Sequence, residues 1–360
     1  MRLLDRYLLR ELMVPLGYCL TGFLIFWLTF DLFGELGDLQ EQQLSFSQIF
    51  AIYVQKLPQL LVVVIPVALL LAMLYSLSNH SRHNELIAVR AAGVSLWRIA
   101  GIYLAVGALF SGALFFINEV WAVRQIGLEN ERSGPMHLEL LSARQSLDLE
   151  DYDLVRNEMI RPRLTWKLSD DVTVKIVADS GSYSNKVWIF KNLVVFRHDP
   201  GKSDFEMTQS TNHLAMAIKE LALTPRQVRS ERRISSLLDS VAIAKEAQVS
   251  LREIADYRML HPDLPEAKRV KLETQYHGRF AWPLTCMVVV LISIPFGGRS
   301  GRRNAFVGVA SSIVICFVYF ILMRVCLALG TGGRLLPWLA AWLPNLFFGG
   351  GGCVLIARMR

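Results

Sequence analysis

The sequence predicts an α-helical membrane protein with six transmembrane helices and an all-β domain inserted between helices 3 and 4. Three observations carry this. Uncharged apolar runs of about 20 residues, the length that spans a hydrocarbon layer of roughly 30 Å, crowd both ends of the chain. A polar stretch from about residue 124 to 275 separates them, so the 53% of hydrophobic residues fall into two phases and are not spread through a soluble core. Inside the polar stretch, short alternating runs between turn-forming residues read as strands.

The first span is expected at about 12 to 33, preceded by Asp5, Arg6, Tyr7 and Arg10, whose long side chains and phenol suit a headgroup layer. A basic start followed by apolar residues resembles a signal peptide. The run continues through Phe33 with no small-x-small cleavage site, and it reads as a retained span. A loop with Asp31, Glu35, Asp38 and Glu41 follows, then a second span at about 52 to 77 that Pro58 and Pro66 should bend. Residues 79 to 98, NHSRHNELIAVRAAGVSLWR, form a polar handle before the third span at about 98 to 120.

The polar stretch is long enough for a domain. LTWKL at 164, VTVKIV at 172 and KVWIFKNLVVF at 186 read as strands separated by SDD, DSGSYSN and HDPGKSD, the pattern of an antiparallel sandwich or open barrel. Ser250 to Glu253 fits a capping box that opens a short helix, and a second helix at about Pro265 to Tyr276 leads back to the membrane. Further spans are expected at about 278 to 297, 304 to 328 and 335 to 356. Domain limits of 1–123, 124–275 and 276–360 follow. Arg82, Arg90 and Arg98 in the handle, Arg299, Arg302 and Arg303 in the next short loop, and Arg358 and Arg360 in the tail place these segments and both termini in the cytoplasm. The acidic loop and the large domain then lie outside.

Composition and motifs exclude several classes. The net charge of +7 is concentrated beside the spans and no basic run carries interleaved aromatics, so orientation explains it and nucleic acid does not. Cys19, Cys286, Cys316, Cys326 and Cys353 all fall in apolar segments, and neither a disulfide framework nor a metal knuckle is encoded. No GxxxxGK[ST], HExxH or GxSxG occurs. GGRSGRRN at 297 reads as a flexible basic turn. The expectation is a chain with no catalytic site, no metal and no cofactor of its own.

The handle holds the most specific local pattern. From about Arg82 to Ala92 the residues favour helix, Gly93 suits a left-handed cap, and Ser95 can cap the third span. Glu85, Ala88 and Ala92 share one small-residue strip, with Leu86, Ile87 and Val89 beside it. Glu85 is placed to pair with Arg82, and His80 and His83 are expected to be exposed. An amphipathic helix on lipid and a helix for a protein groove both fit, and a single acid among alanines favours the groove. Near the outer ends of their spans, Glu119 and Arg324 suit either function or anchoring, His277 suits headgroup anchoring, and Gly349 to Gly352 reads as a packing notch.

LDRYLLRE at 4, NELIAVRAAGVSLWRI at 84, LTPRQV at 223, SLREIADY at 250, YHGRFAWPLTCMVVVLISIPFGG at 276 and LPNLFF at 343 together resemble the LptF/LptG (YjgP/YjgQ) permeases of lipopolysaccharide export. The LDRY start and LPNLFF ending favour the G-type. The resemblance implies six spans with a periplasmic β-jellyroll between the third and fourth. It implies an inner-membrane location and, as partners, a second LptF/LptG-type permease and an LptB-type ATPase dimer that holds the ATP and magnesium. LptC and LptA-like periplasmic proteins would receive the lipopolysaccharide.

By position, Glu85 would be the acidic contact of the helix entering the ATPase groove, with Leu86, Arg90, Ala91 and Gly93 completing the matched segment. Phe26, Phe30 and Phe33 on the first span and Phe317, Phe320 and Arg324 on the fifth would form lipid gates, with Arg324 meeting a lipid A phosphate. The outer end of the first span is acidic here, where some relatives are basic. A membrane-anchored scaffold without transport and a secondary transporter are the alternatives, and the end-of-span position of the charges disfavours the second.

Overall fold

The computed structural model describes residues 3–41, 45–122, 135–140, 145–153, 157–167, 173–198, 206–218, 221, 223–238, 249–297 and 302–358. The predicted positions Arg299 and Arg360 and the HDPGKSD turn from residue 199 lie outside these. Two compact units divide the chain: 1–129 with 242–250 and 269–360, and 130–241 with 251–268.

In the first unit, α1 (Leu3–Glu41) and α2 (Phe46–Arg82) are followed by the short α3 (Glu85–Ala91) and by α4 (Leu96–Phe116), which ends in a π-helical turn, Ile117–Ala122. The acidic stretch predicted as a loop is instead the helical continuation of α1. Lys56 of α2 reaches across to it, 2.7 Å from Glu35 and 3.5 Å from Asp31, and this cross-helix pairing favours continued helix over an open turn.

The α2 segment is the centre of the bundle. Ala68, Leu69, Ala72, Met73 and Leu77 share one core with Leu8, Leu12 and Leu16 of α1, Ile99 and Tyr103 of α4, and Cys286, Val290, Leu291 and Ile294. Between apolar helices in lipid, packing and not exclusion from water supplies the attraction, so small residues let backbones approach. Gly352 is such a position, where an added Cβ would lie 2.9 Å from the Leu291 carbonyl oxygen; Gly350 and Gly351 face open space. The predicted notch is thus centred on one glycine of the four.

The fourth span is not the single helix expected over 278–297. The α7 helix (Glu266–Ala281), charged in its N-terminal half, leads into α8 (Thr285–Gly297) across a 51° bend. Pro283 sits in the break, where it has no N–H to continue the ladder. The Thr285 N–H turns to the Trp282 carbonyl at 3.0 Å, and the Ala281 carbonyl it leaves accepts the Asn345 Nδ2 amide at 2.8 Å. Tyr319 Oη donates to Asn345 Oδ1 at 2.6 Å, so its own lone pair takes the Thr285 hydroxyl at 3.1 Å. Asn345 lies on α10 (Pro337–Arg358) and Tyr319 on α9 (Arg302–Thr331), so the polar residues that satisfy the break come from the last two spans. Among the described residues, five helices are long and apolar enough to cross a membrane, and six if the bent pair is one span.

Arg279, wholly buried near the start of this break, donates from Nη1 to Asn118 Oδ1 at 2.7 Å and from Nε to the Val249 carbonyl. A buried guanidinium needs such acceptors, and here it ties α7 to the π-turn after α4.

The second unit is a nine-stranded antiparallel sheet, β1 (Met136–Leu140), β2 (Gln145–Leu149), β3 (Asp151–Asp153), β4 (Glu158–Ile160), β5 (Arg163–Lys167), β6 (Thr173–Val177), β7 (Ser180–Ser184), β8 (Val187–His198) and β9 (Glu206–Ile218). The order is β1-β2-β5-β6-β8-β7-β4-β3, with β9 on the other edge of β8. Strands at opposite ends of this path, carrying Leu138 and Tyr152, contribute to one core with Trp188, Phe190 and Leu193, so the sheet closes on itself as a near-barrel. The predicted runs at 164, 172 and 186 are β5, β6 and β8.

Asn185 and Lys186, both at positive φ, make the two-residue turn from β7 into β8. At Asn192, φ 51°, β8 changes partner from β7 to β6, and its buried positions shift from Trp188 and Phe190 to Leu193. Three helices complete the description of this part of the chain: α5 (Pro225–Leu238), α6 (Leu251–Leu260) and the start of α7. The first of them was not expected. Thr224 and Gln227 cap it reciprocally, and Arg232 and Arg233 pair with Asp151 and Glu253.

Candidate functional site

Residues 79–98 fold as a compact hairpin of helices. The α2 helix ends at Arg82; Asn84 adopts φ 57°, a left-handed geometry that asparagine tolerates, and reverses the chain into α3. At the other end Gly93 sits at φ 81° while the Val94 N–H returns to the Val89 carbonyl at 3.3 Å, a Schellman closure. Ser95, with ψ 145°, starts α4. Gly93 caps α3 as expected, Ser95 takes the N-cap position of α4 without a side-chain cap bond, and α3 has seven residues, shorter than the predicted 82–93.

Glu85 opens α3, and its partners are not Arg82. Its Oε2 accepts the Tyr7 hydroxyl at 3.0 Å and lies 2.7 Å from His80 Nδ1. His80 is 1% exposed, contrary to the exposed position expected for it, and its Nε2 faces the Ser76 hydroxyl at 3.3 Å. One tautomer satisfies the chain: Nδ1–H donates to the carboxylate and Nε2 accepts from Ser76. Partial burial works to raise the Glu85 pKa, but the hydrogen bonds from His80 and Tyr7 outweigh it and hold the carboxyl below its ordinary value. Asp5, two residues before Tyr7, meets Arg98 at 3.7 Å, so the start of α1 touches both α3 and α4.

The rest of α3 divides by face. Val89 packs on the core together with Val94, whereas Ile87, Ala88, Ala91, Ala92 and Gly93 are exposed. The side chains of Leu86 and Arg90 lie outside the described residues. The outward surface is a strip of small residues beside one isoleucine, open to close approach by another chain.

Two further groups of predicted residues lie elsewhere. Phe26, Phe30 and Phe33 recur on one face of α1 and are 67%, 74% and 72% exposed, the first two stacked at 6.5 Å. On α9, Phe317 is exposed on a face shared with Val314, Ile321 and Val325. Arg324 stands on that exposed side, its guanidinium 5.7 Å from the centroid of the Trp282 ring. Phe320 points the other way, half-buried against Tyr319 at 5.4 Å. Sequence reasoning missed Tyr7 and His80 as functional neighbours of Glu85. Tyr7 lies 78 residues away, and the only local signal was a histidine five positions before an acid.

A bundle of apolar helices of membrane-spanning length, with a β domain inserted between its third and fourth members and a short exposed helix between its second and third, defines a polytopic membrane protein. The family model described as lipopolysaccharide export system permease LptF/LptG matches residues 6–133 and 163–358, and the chain belongs to that family. No curated relative matches it. Membership makes the chain a permease subunit of lipopolysaccharide export, multi-pass in the membrane.

Proposed function

We propose that this chain is the transmembrane subunit of an ATP-driven lipopolysaccharide exporter. It draws the lipid from the outer leaflet of the inner membrane and passes it to a periplasmic bridge of LptC and LptA-like proteins. An LptB-type ATPase dimer supplies the energy with its own ATP and magnesium, and a second LptF/LptG-type permease completes the cavity. In this reading residues 1–123 and 276–360 form the membrane part with both termini cytoplasmic, and 124–275 form the periplasmic domain.

The observation that carries the reading is α3: a capped helix anchored between two spans, with Ile87, Ala88, Ala91 and Ala92 turned outward as a docking strip. The bare aromatic faces of α1 and α9 support lateral gates at Phe26, Phe30, Phe33 and Phe317, with Arg324 beside the second. Glu85→Arg, assayed in the assembled complex, is expected to lower both ATP hydrolysis and lipid extraction. Wild-type values for both would remove the coupling role of α3.

A further inference from the structure

The Glu85 carboxylate is engaged inside the chain. Two donors converge on its Oε2, the Tyr7 hydroxyl at 3.0 Å and His80 Nδ1 at 2.7 Å, and His80 is itself held by Ser76. The three donor-bearing residues come from α1 and α2, whereas the acceptor belongs to α3. The α3 helix is bound covalently to α2 and α4 through short turns, but nothing covalent links it to α1. Tyr7 supplies a non-covalent link, reinforced two residues earlier by Asp5 with Arg98, and by Leu4, Leu8 and Leu9 packing into the core that also takes Val89 and Val94.

We infer that Tyr7 and His80 are positioning residues that clasp Glu85 within the chain, so that a push on α3 is delivered to the first span as well as to the second and third. This rests on the transport reading above. It changes the role of the acid: Glu85 acts through α1 and α2 as the fastening of the coupling helix, and the docking strip itself is the small-residue face at Ile87, Ala88, Ala91 and Ala92. A carboxylate already holding two donors orients its helix, and the three spans then move as one body.

The test uses the complete complex with its ATPase in proteoliposomes, with the ratio of lipid released to ATP hydrolysed as the readout. Tyr7→Phe removes one oxygen from a ring that is 40% exposed, so folding is not at stake. It is expected to copurify with the ATPase and to hydrolyse ATP within about twofold of wild type, while lipid released per ATP falls about tenfold, the loss that one hydrogen bond to a charged group implies. His80→Leu fills the buried site without a donor and should behave like Tyr7→Phe. His80→Asn keeps an N–H near the position of Nδ1 and should retain most of the coupling. Wild-type ratios for Tyr7→Phe and His80→Leu would overturn the clasp and leave the transport reading intact. If the wild-type complex itself shows no ATP-dependent release, the transport reading falls and the clasp falls with it.

Discussion

The first two spans are close in length, 39 and 37 residues, and both are strongly apolar, yet they live in different surroundings. Of the most apolar part of α1 only 11% is buried, against 61% for α2. Hydropathy is satisfied equally by lipid and by neighbouring helices, so it does not separate a span that faces lipid from one that fills the core. What separates them is residue size. Ala68, Ala72 and Met73 with Leu69 let α2 be packed on several sides, whereas α1 carries Phe26, Phe30 and Phe33 outward and turns Leu8, Leu12 and Leu16 fully, and Leu4, Leu9, Cys19, Leu20 and Phe23 partly, into the bundle. Polar ties hold α1 near its two ends as well, the Tyr7 clasp at one and Lys56 with Glu35 at the other.

The comparison is broken most severely in α2. Leu69→Ala should cost about 2–4 kcal/mol, because a fully buried site in the packed bundle cannot collapse around the void, whereas Phe30→Ala should change stability by less than about 0.5 kcal/mol. Thermal unfolding of the two variants in one detergent measures the difference, and equal losses would mean that α1 is packed as α2 is. A smaller effect is expected at the outer tie. Lys56→Met leaves Asp31 and Glu35 without their shared cation and should loosen that end of α1 by roughly 1 kcal/mol, since the pair is partly exposed. Faster thiol labelling of a cysteine placed at Gly34 reads this out.

The smallest expected effect is a pH dependence of the inner tie. The Glu85 carboxyl is held below its ordinary value, so the stabilisation it gives is complete above the unfolded pKa of about 4.3 and fades as pH falls through the lower folded value. Protection of the amides of residues 85–91, taken relative to their intrinsic exchange rate at each pH, should therefore fall at acid pH in the wild type. In Tyr7→Phe the same transition should lie nearer the ordinary value.

Much of this architecture is local in origin, and local features were readable. Gly93 and Ser95 closed and opened their helices where residue type demanded, and the runs at 164, 172 and 186 became strands because alternation and turn residues agree there. The helix α5 escaped notice because PRQVRSERRISSLL is strongly charged, and its arginines are stabilised by Asp151 and Glu253, which are remote in sequence. The bend at Pro283 was concealed in the same way: a break in an apolar run leaves backbone groups to satisfy, and here Asn345 donates to the Ala281 carbonyl from 64 residues away.

By itself the sequence determined which stretches are apolar and long enough to span a membrane, which polar stretch between them folds as strands, and the helical form of the handle. Those follow from transfer free energies and backbone preferences that add up over neighbouring residues. Only the tertiary structure decided which spans are core and which are bare, that the fourth span is bent and repaired by Tyr319 and Asn345, and that Glu85 is gripped by Tyr7 and His80. A hydrogen bond has a range of one contact and a strict geometry, and whether two groups 78 residues apart meet is fixed by the packing of the helices that carry them.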